Sequence, residues 1–483
     1  MTLTVIPPLT DPTLEWAPPG SGPLLDLNAA FFDRLADPGR LRAAAECDDT
    51  ADADSDRSLR VVFGRAAAAV LDRPARDDAR LRAIGYALRA AGAADPAIEL
   101  SLDDLRLRGG TTQSSADVVA AATATGLFGP EVERLRAAAG PGTRVAVLVD
   151  TDQQLPAAVA FTRALGPERV EWTGRYVVRY GAALSRVPEL RGVRLRALAA
   201  PRTVRTEWGA PDGTTWLTDA AEWRPGGAWA GWMDPSVAAA LSDEALKDCR
   251  GLTVTVAGPG GGPPGEVVGA DGVPADLAAL RARLDPAAPL RADVVLGAPG
   301  VPVAEAAALA DGLESAAGGI GLAGFRPFRL APGARWPAAR RLPAGGDLPL
   351  WHPFEADGTP AAAEVAEAVV DLIDRYVLRH GLYPGRVAAA VLTRPAPEPG
   401  TADWDPAAAV VATRACAPDG RGPGDFAAGL RSGRALRVAP RLAALLRAWE
   451  GGDPSAFAAL PPHRRATVGV GLARAGILRG TAF

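Results

Sequence analysis

Five of the eleven tryptophans, Trp208, Trp216, Trp223, Trp229 and Trp232, fall within the single stretch EWGAPDGTTWLTDAAEWRPGGAWAGWM (207–233). Gathered rings of this kind offer two sorts of chemistry. Their quadrupoles attract a cation, and their faces stack on flat rings such as an indole. Asp219, Glu222 and Asp234 lie within or directly after the stretch and are the carboxylates that could act there as a general base. Glycine and proline interrupt the segment, so one helical stripe is excluded, and its charges speak against a core strand. The expectation is a loop cluster that either plugs a gap or lines a site.

Other places offer weaker chemistry. RVAVLVD (144–150) ends in Asp150, with Asp152 two positions on, where strand ends of α/β folds meet small molecules; Asp152 can equally cap the following helix. LGAPG (296–300) places Gly297, Pro299 and Gly300 in a tight turn after another strand. GPGGGPPGEVVG (258–269) lacks the lysine and hydroxyl of a phosphate loop, and its prolines remove the N–H groups such a loop needs, so it reads as a surface loop. His352, His380 and His463 have no partner at helical spacing, and Cys47, Cys249 and Cys416 are far apart, so no local metal motif or disulfide framework is expected. The one lysine, Lys247, sits in the helix-like LSDEALKDC, which speaks against a Schiff base. No G-x-S-x-G elbow accompanies the histidines.

These groups need elements to hold them. At 483 residues, two to four domains are expected, and 48% hydrophobic with 22% charged residues is ordinary globular composition. A formal charge of -4 gives no reason to expect nucleic acid. No apolar run of about 18 residues suggests a membrane span, and the expected location is cytoplasmic and reduced. Residues 1–57 read as a proline-rich tether with one helix, LLDLNAAFFDRLADP, capped at Asp26 or Asn28. From 58 to 201, short β-branched runs alternate with alanine-rich amphipathic helices, which predicts an open, doubly wound, Rossmann-like α/β domain. A second α/β series spans 202–345, a helical and loop extension 346–435, and a helix-turn-helix-helix rhythm of winged-helix type 436–483.

The order of several stretches resembles the radical SAM enzymes that carry an N-terminal cobalamin-binding domain, of the kind related to anaerobic protoporphyrin ester cyclases and cobalamin-dependent C-methyltransferases. LLDLNAAFFDRLADP (24–38) is similar to the family's early D-L-N segment. LSLDDLRLRGGTTQSSADVVAAA (100–122) looks like the region that follows it. VAVLVDTDQQLPAAVAFTRAL (145–165) is similar to the strand and helix with a Q-L pair, and through it Asp150, Thr151, Gln153 and Gln154 become ligand-binding candidates. GRYVVRYGAALSRVPEL (174–190) corresponds to the next turn and helix. ADVVLGAPGVPVAEAAALADGL resembles the G-f-P-G strand and turn with Gly297, Pro299 and Gly300 in place, and FRPFRLAPGARW (325–336) adds Arg326. The resemblance implies a cobalamin-binding domain at 58–201 followed by a (β/α) barrel of TIM type, with cobalamin and SAM as cofactors.

The departures set the expected function. No Cys-x3-Cys-x2-Cys is present, so the chain alone is not expected to hold the [4Fe–4S] cluster that cleaves SAM. The series at 202–345 is too short for the family's full barrel, and the tryptophan segment stands where the relatives carry their cluster loop and first strands. The resulting reading is a catalytically degenerate relative that binds a peptide, a cobalamin or other small molecule in the inter-domain cleft, or a radical SAM enzyme during natural-product or cofactor assembly. The alternative is a cluster-independent enzyme, such as a polar methyltransferase using SAM or methylcobalamin, in which the tryptophans orient and desolvate the donor.

Overall fold

The run Thr2-Leu3-Thr4-Val5-Ile6 is β-branched at four of its five positions and is stopped by Pro7 and Pro8. In the computed structural model, which describes residues 2–17, 22–102, 104–257, 275–315, 319–330, 339–380, 382–392 and 402–480, that run is a strand in the middle of a sheet. Along the chain the strands are β1 (Thr2–Ile6), β2 (Leu14–Trp16), β3 (Leu24–Asp26), the hairpin β4 (Ile98–Leu100) and β5 (Leu105–Leu107), then β6 (Arg144–Leu148), β7 (Val170–Thr173) and β8 (Arg194–Leu195). They continue with β9 (Arg202–Val204), β10 (Thr215–Leu217), β11 (Trp229–Met233), β12 (Cys249–Val256), β13 (Leu290–Leu296) and β14 (Ile320–Pro327). The protein is mixed α/β with two large, mainly parallel sheets.

The first sheet is wholly parallel, in the order β3-β1-β6-β7-β8. Leu3, Val5, Val145, Val147 and Trp172 point to one side and join Phe31, Phe161 and Leu165 in the largest core. Helix Leu27–Leu35 is capped by Asp26, whose carboxylate accepts from Ala29 N at 2.8 Å. Helix Leu155–Leu165 lays Leu155, Val159 and Thr162 on the sheet, and the buried Trp172 indole donates to Thr162 Oγ1 at 2.9 Å, so the ring is buried without an orphaned N–H.

The second sheet runs β14-β13-β12-β11-β10-β9-β2. Strands β10 to β14 are parallel and lie side by side in the order of the sequence; β9 and β2 close one edge antiparallel. Alternation sets the two faces. Leu252, Val254 and Val256 of β12 and Leu290, Ala292, Val294 and Leu296 of β13 face the helices, whereas Thr253, Thr255, Arg291 and Asp293 face the other way. Among the described residues, the helix that sits on that second face is the short Arg386–Val391. Gly251 admits it, since any side chain there would meet the backbone of Ala390.

Three expectations are corrected here. Residues 1–57 are not a tether: β1 and β3 belong to the first sheet and β2 to the second, because the apolar alternation in TLTVI and the LEW triplet finds partners far along the chain. The tryptophan segment is not a loop plug, since β10 and β11 are built from it and are the first two parallel strands of the second sheet. Its charges sit outside the strands, Glu207 and Asp212 ahead of β10 and Asp219, Glu222 and Arg224 in the connection at 218–228. The last unit begins before residue 436. Strands Ala408–Thr413, Gly424–Gly429 and Arg434–Val438 form an antiparallel sheet ahead of helices Pro440–Glu450, Ser455–Ala458 and Pro462–Arg474.

That unit is fastened to the helices of residues 38–94. Arg431 lies between Asp78 Oδ2 at 2.7 Å and Asp405 Oδ2 at 2.9 Å, all three buried. Burial alone would lower the Arg431 pKa, but the two carboxylates reverse the direction and raise it. Asp49 accepts from the backbone N–H groups of Arg414, Ala415 and Cys416 at 2.7, 2.9 and 2.9 Å. The 258–269 loop and residues 331–336 lie outside the described residues.

Candidate functional site

The C-terminal ends of parallel strands are where such sheets bind ligands. At the end of β6 the polar side chains are all engaged with the protein. Gln154 is fully buried; its Oε1 accepts from Asp150 N at 2.7 Å and Thr151 N at 3.2 Å, and its Nε2 donates to Pro7 O at 2.9 Å and Leu148 O at 3.2 Å. Thr151 Oγ1 reaches Leu9 O at 3.5 Å, and Gln153 is half-buried. Asp152 does not cap the next turn: its carboxylate accepts from Thr112 Oγ1 at 2.7 Å, and burial raises its pKa. Beside it the Tyr176 hydroxyl is buried without a hydrogen-bond partner, and its pKa is raised by burial and by Asp152. Gln113 holds the segment 348–351 over this edge through Leu348 N, Leu350 N and Trp351 N.

Asp150 and Glu222, two of the candidates, are brought into one network by Arg175. Asp150 accepts from Arg175 N at 2.9 Å, Arg175 Nη1 at 3.0 Å and Trp16 Nε1 at 2.7 Å. Arg175 Nε donates to Glu222 Oε1 at 2.9 Å, and Arg202 lies 3.5 Å from Glu222 Oε2. Desolvation and the neighbouring Arg175 lower the Arg202 pKa to about 10. Burial works to raise the Glu222 carboxyl, but Thr218 N and the two arginines hold it below its ordinary value. A carboxylate so stabilised in its charged form is a poor proton acceptor near neutral pH. Asp219 accepts from Ala221 N at 2.9 Å as the cap of a short turn on the exposed surface.

The five tryptophans are not one cluster. Trp208 belongs to the core of the first sheet, Trp216 and Trp232 to the core between the sheets, and Trp229 to the helix side of the second sheet, where its indole donates to Ala245 O at 2.7 Å. Trp223 is half-buried at the edge of that last core. Cross-strand register explains the split: Trp216 pairs with Ala230 and Thr215 with Trp229, so Trp216 and Trp229 face opposite sides.

Trp232 is the member that reaches a polar patch. On the second face, Trp232 lies beside Thr253 of β12, and Thr255 beside Asp293 of β13. Arg326 at the end of β14 donates from Nε to Asp293 Oδ2 at 2.5 Å and from Nη2 to Thr255 Oγ1 at 3.2 Å. Two guanidinium groups lie over the Trp232 ring, Arg386 at 3.9 Å and Arg326 at 5.2 Å from its centre. Trp232 Nε1 and the Thr253 hydroxyl are buried and have no hydrogen-bond partner. Asp234, exposed just past β11, is crowded enough that desolvation raises its carboxyl, with Arg326 pulling the other way. The patch can receive a hydrogen-bond acceptor or an anionic group; the Trp232 face is already taken by two guanidinium groups, and among the described residues the patch pairs no nucleophile with a base.

Gly297, Pro299 and Gly300 form the turn after β13. Gly297 has φ +80°, and a Cβ there would lie 2.8 Å from Val365 Cγ2, so packing already accounts for that glycine. Thr253, Thr255, Asp293, Arg175, Arg202 and Arg386 escaped the sequence reading. The signal for the first three was present: polar residues at alternate positions in GLTVTV and a charge inside RADVVL mark a strand face turned from the apolar core. Cys249, at the start of β12, is buried, which pushes its thiol up to about 12; Cys416 is buried in the C-terminal unit and Cys47 is exposed. Against models of protein families, curated proteins and solved structures, the chain finds no match.

Proposed function

We propose that this chain is a catalytically silent relative of the cobalamin-domain radical SAM enzymes, acting as a binding or partner protein in natural-product, including peptide, or cofactor assembly. The observation that carries the reading is the connection between β10 and β11. In the family the chain resembles, cluster cysteines belong in this region. Here the connection carries Glu222, ion-paired to Arg175 across the boundary between the two sheets and to Arg202 of β9 within the second. The framework fits the reading as well. Counted along the chain, the strands of the first sheet stand in the order 2-1-3-4-5 of a doubly wound fold, and β10 to β14 follow one another as consecutive strands of a (β/α) barrel do.

Cobalamin is left out of this reading. A corrin needs an open strand edge, whereas Asp150 and Gln154 are saturated by protein donors and acceptors and Ile6 and Leu148 are buried against Trp16 and Trp216. A SAM sulfonium on Trp232 would meet the guanidinium groups of Arg386 and Arg326. The residues therefore favour binding over methyl transfer, with an acceptor-bearing or anionic group at Thr253, Trp232 and Arg326. The test is co-expression with a cluster-bearing enzyme encoded nearby, followed by size-exclusion chromatography and a SAM-turnover assay. A stable complex, with no SAM consumed by the isolated chain, is the expected result. SAM cleavage or methyl transfer by the isolated chain overturns the reading.

A further inference from the structure

A wholly parallel sheet is normally covered on both faces, because its crossovers deposit helices on each. The first sheet departs from this. Leu3, Val5, Val145, Val147 and Trp172 face the helix layer. On the opposite face, Ile6 and Leu148 at the strand ends are covered by Leu14, Trp16, Val204 and Trp216 of the second sheet. The remainder of that face is an open groove of about 590 Å³. No described helix lies over it. The cause is in the connections: the chain from β1 to β3 runs out to place β2 in the other sheet, and after β8 it leaves for β9.

The floor of the groove is short-chained, made by Thr2, Thr4, Ala146 and Thr173. Its rim is arginine-rich. Arg194 and Arg196 share one carboxylate, Glu171, at 3.5 and 3.7 Å. Arg144 has no ion-pair partner among the described residues, and Glu168 is the second carboxylate of the rim. Arg169 is turned away, donating to the carbonyls of Ala139, Gly140 and Thr143. The rim thus holds more guanidinium groups than carboxylates, on a protein whose net charge is -4.

We infer that this groove docks an acidic helical segment of another protein, which supplies a helix layer that the described residues do not place on this face. Short side chains on the floor let a helix approach the strands, and Arg144, Arg194 and Arg196 flank it with positive charge. The inference stands on the uncovered face and its charge, whether or not the framework belongs to the family proposed above.

The experiment is fluorescence anisotropy of a labelled, glutamate-rich amphipathic helical peptide titrated with the full chain, beside a lysine-rich peptide of equal length. Saturable binding of the acidic peptide is expected, falling as salt rises, with little binding of the basic one. The R194E/R196E double variant should bind roughly ten-fold more weakly, as removal and reversal of rim charges implies. Both side chains are more than half exposed, so the variant should keep the wild-type melting temperature, which circular dichroism checks. Absence of binding, equal binding of the two peptides, or undiminished binding to a folded double variant overturns the inference. So does sedimentation showing that the wild type dimerises and the double variant does not, which would assign the groove to a second copy.

Discussion

Trp16, on the edge strand of the second sheet, donates its indole N–H at 2.7 Å to Asp150 at the end of the first sheet's β6. The bond ties the two sheets together where a ligand crevice was expected, and Arg175 completes it by pairing with the same carboxylate at 3.0 Å. Removing Arg175 leaves Asp150, whose side chain is 1% exposed, without its counter-charge. Arg175→Ala should therefore destabilise the protein by about 3 to 5 kcal/mol in urea denaturation. Arg175→Lys should recover only part of this, because a point charge cannot serve both Asp150 and Glu222.

The tryptophans should separate by face. Trp229→Ala deletes a ring that is 1% exposed and should cost about 3 to 5 kcal/mol without any ligand present. Trp223→Ala, at the half-buried margin of the same core, should cost less than half of that, since the loss scales with the buried area removed. Equal losses in chemical denaturation would contradict the assignment of the two rings.

Gly174 has φ +112°, and a Cβ there would stand 2.3 Å from the carbonyl oxygen of Val149. Backbone cannot yield as a side chain does, so Gly174→Ala should cost at least about 3 kcal/mol. Gly213, at φ +71° with nothing within 4 Å of such a Cβ, is the control: Gly213→Ala should cost about 1 kcal/mol of backbone strain. Thermal melts of the two variants measure the difference.

Acid should loosen the C-terminal unit through Asp49. Burial acts to raise its carboxyl, but the N–H groups of Arg414, Cys416 and Ala415 prevail and hold it well below the ordinary value. A depressed folded-state pKa contributes stability that is complete above the unfolded value, about 3.9, and is lost as pH falls below it through the folded value. Asp49→Asn should be less stable than wild type at pH 7 and lose less on acidification, so their melting temperatures should converge towards pH 2.

Much of the fold was legible because apolar periodicity survives in short windows. RVAVL, VEWT and RADVVL are strands as their β-branched and apolar runs require, and the helix after Asp26 starts at the cap its sequence shows. β1 was overlooked although TLTVI carries the same alternation, because the prolines around it weighed towards a tether. The tryptophan segment misled for a different reason. Trp216, Trp229 and Trp232 sit in strands of three and five residues, too short to show a period, and their facing is fixed by neighbours β9 and β12 that the local sequence does not reveal. The Asp150, Arg175, Glu222 network was only half visible, since a salt bridge across two sheets leaves no spacing rule in the chain.

The placement of β2 has a consequence for how the molecule is made. Residues 2–6, 14–16 and 24–26 join sheet one, sheet two and sheet one in turn, and their partners include residues 144–147 and 202–204. A ribosome must therefore deliver most of the first two hundred residues before the opening strands can settle. Contacts of such long sequence separation slow folding and leave early strands unpaired meanwhile. Cutting the chain between β8 and β9 would take β2 from the second sheet and leave it in the first half without the strand it pairs with.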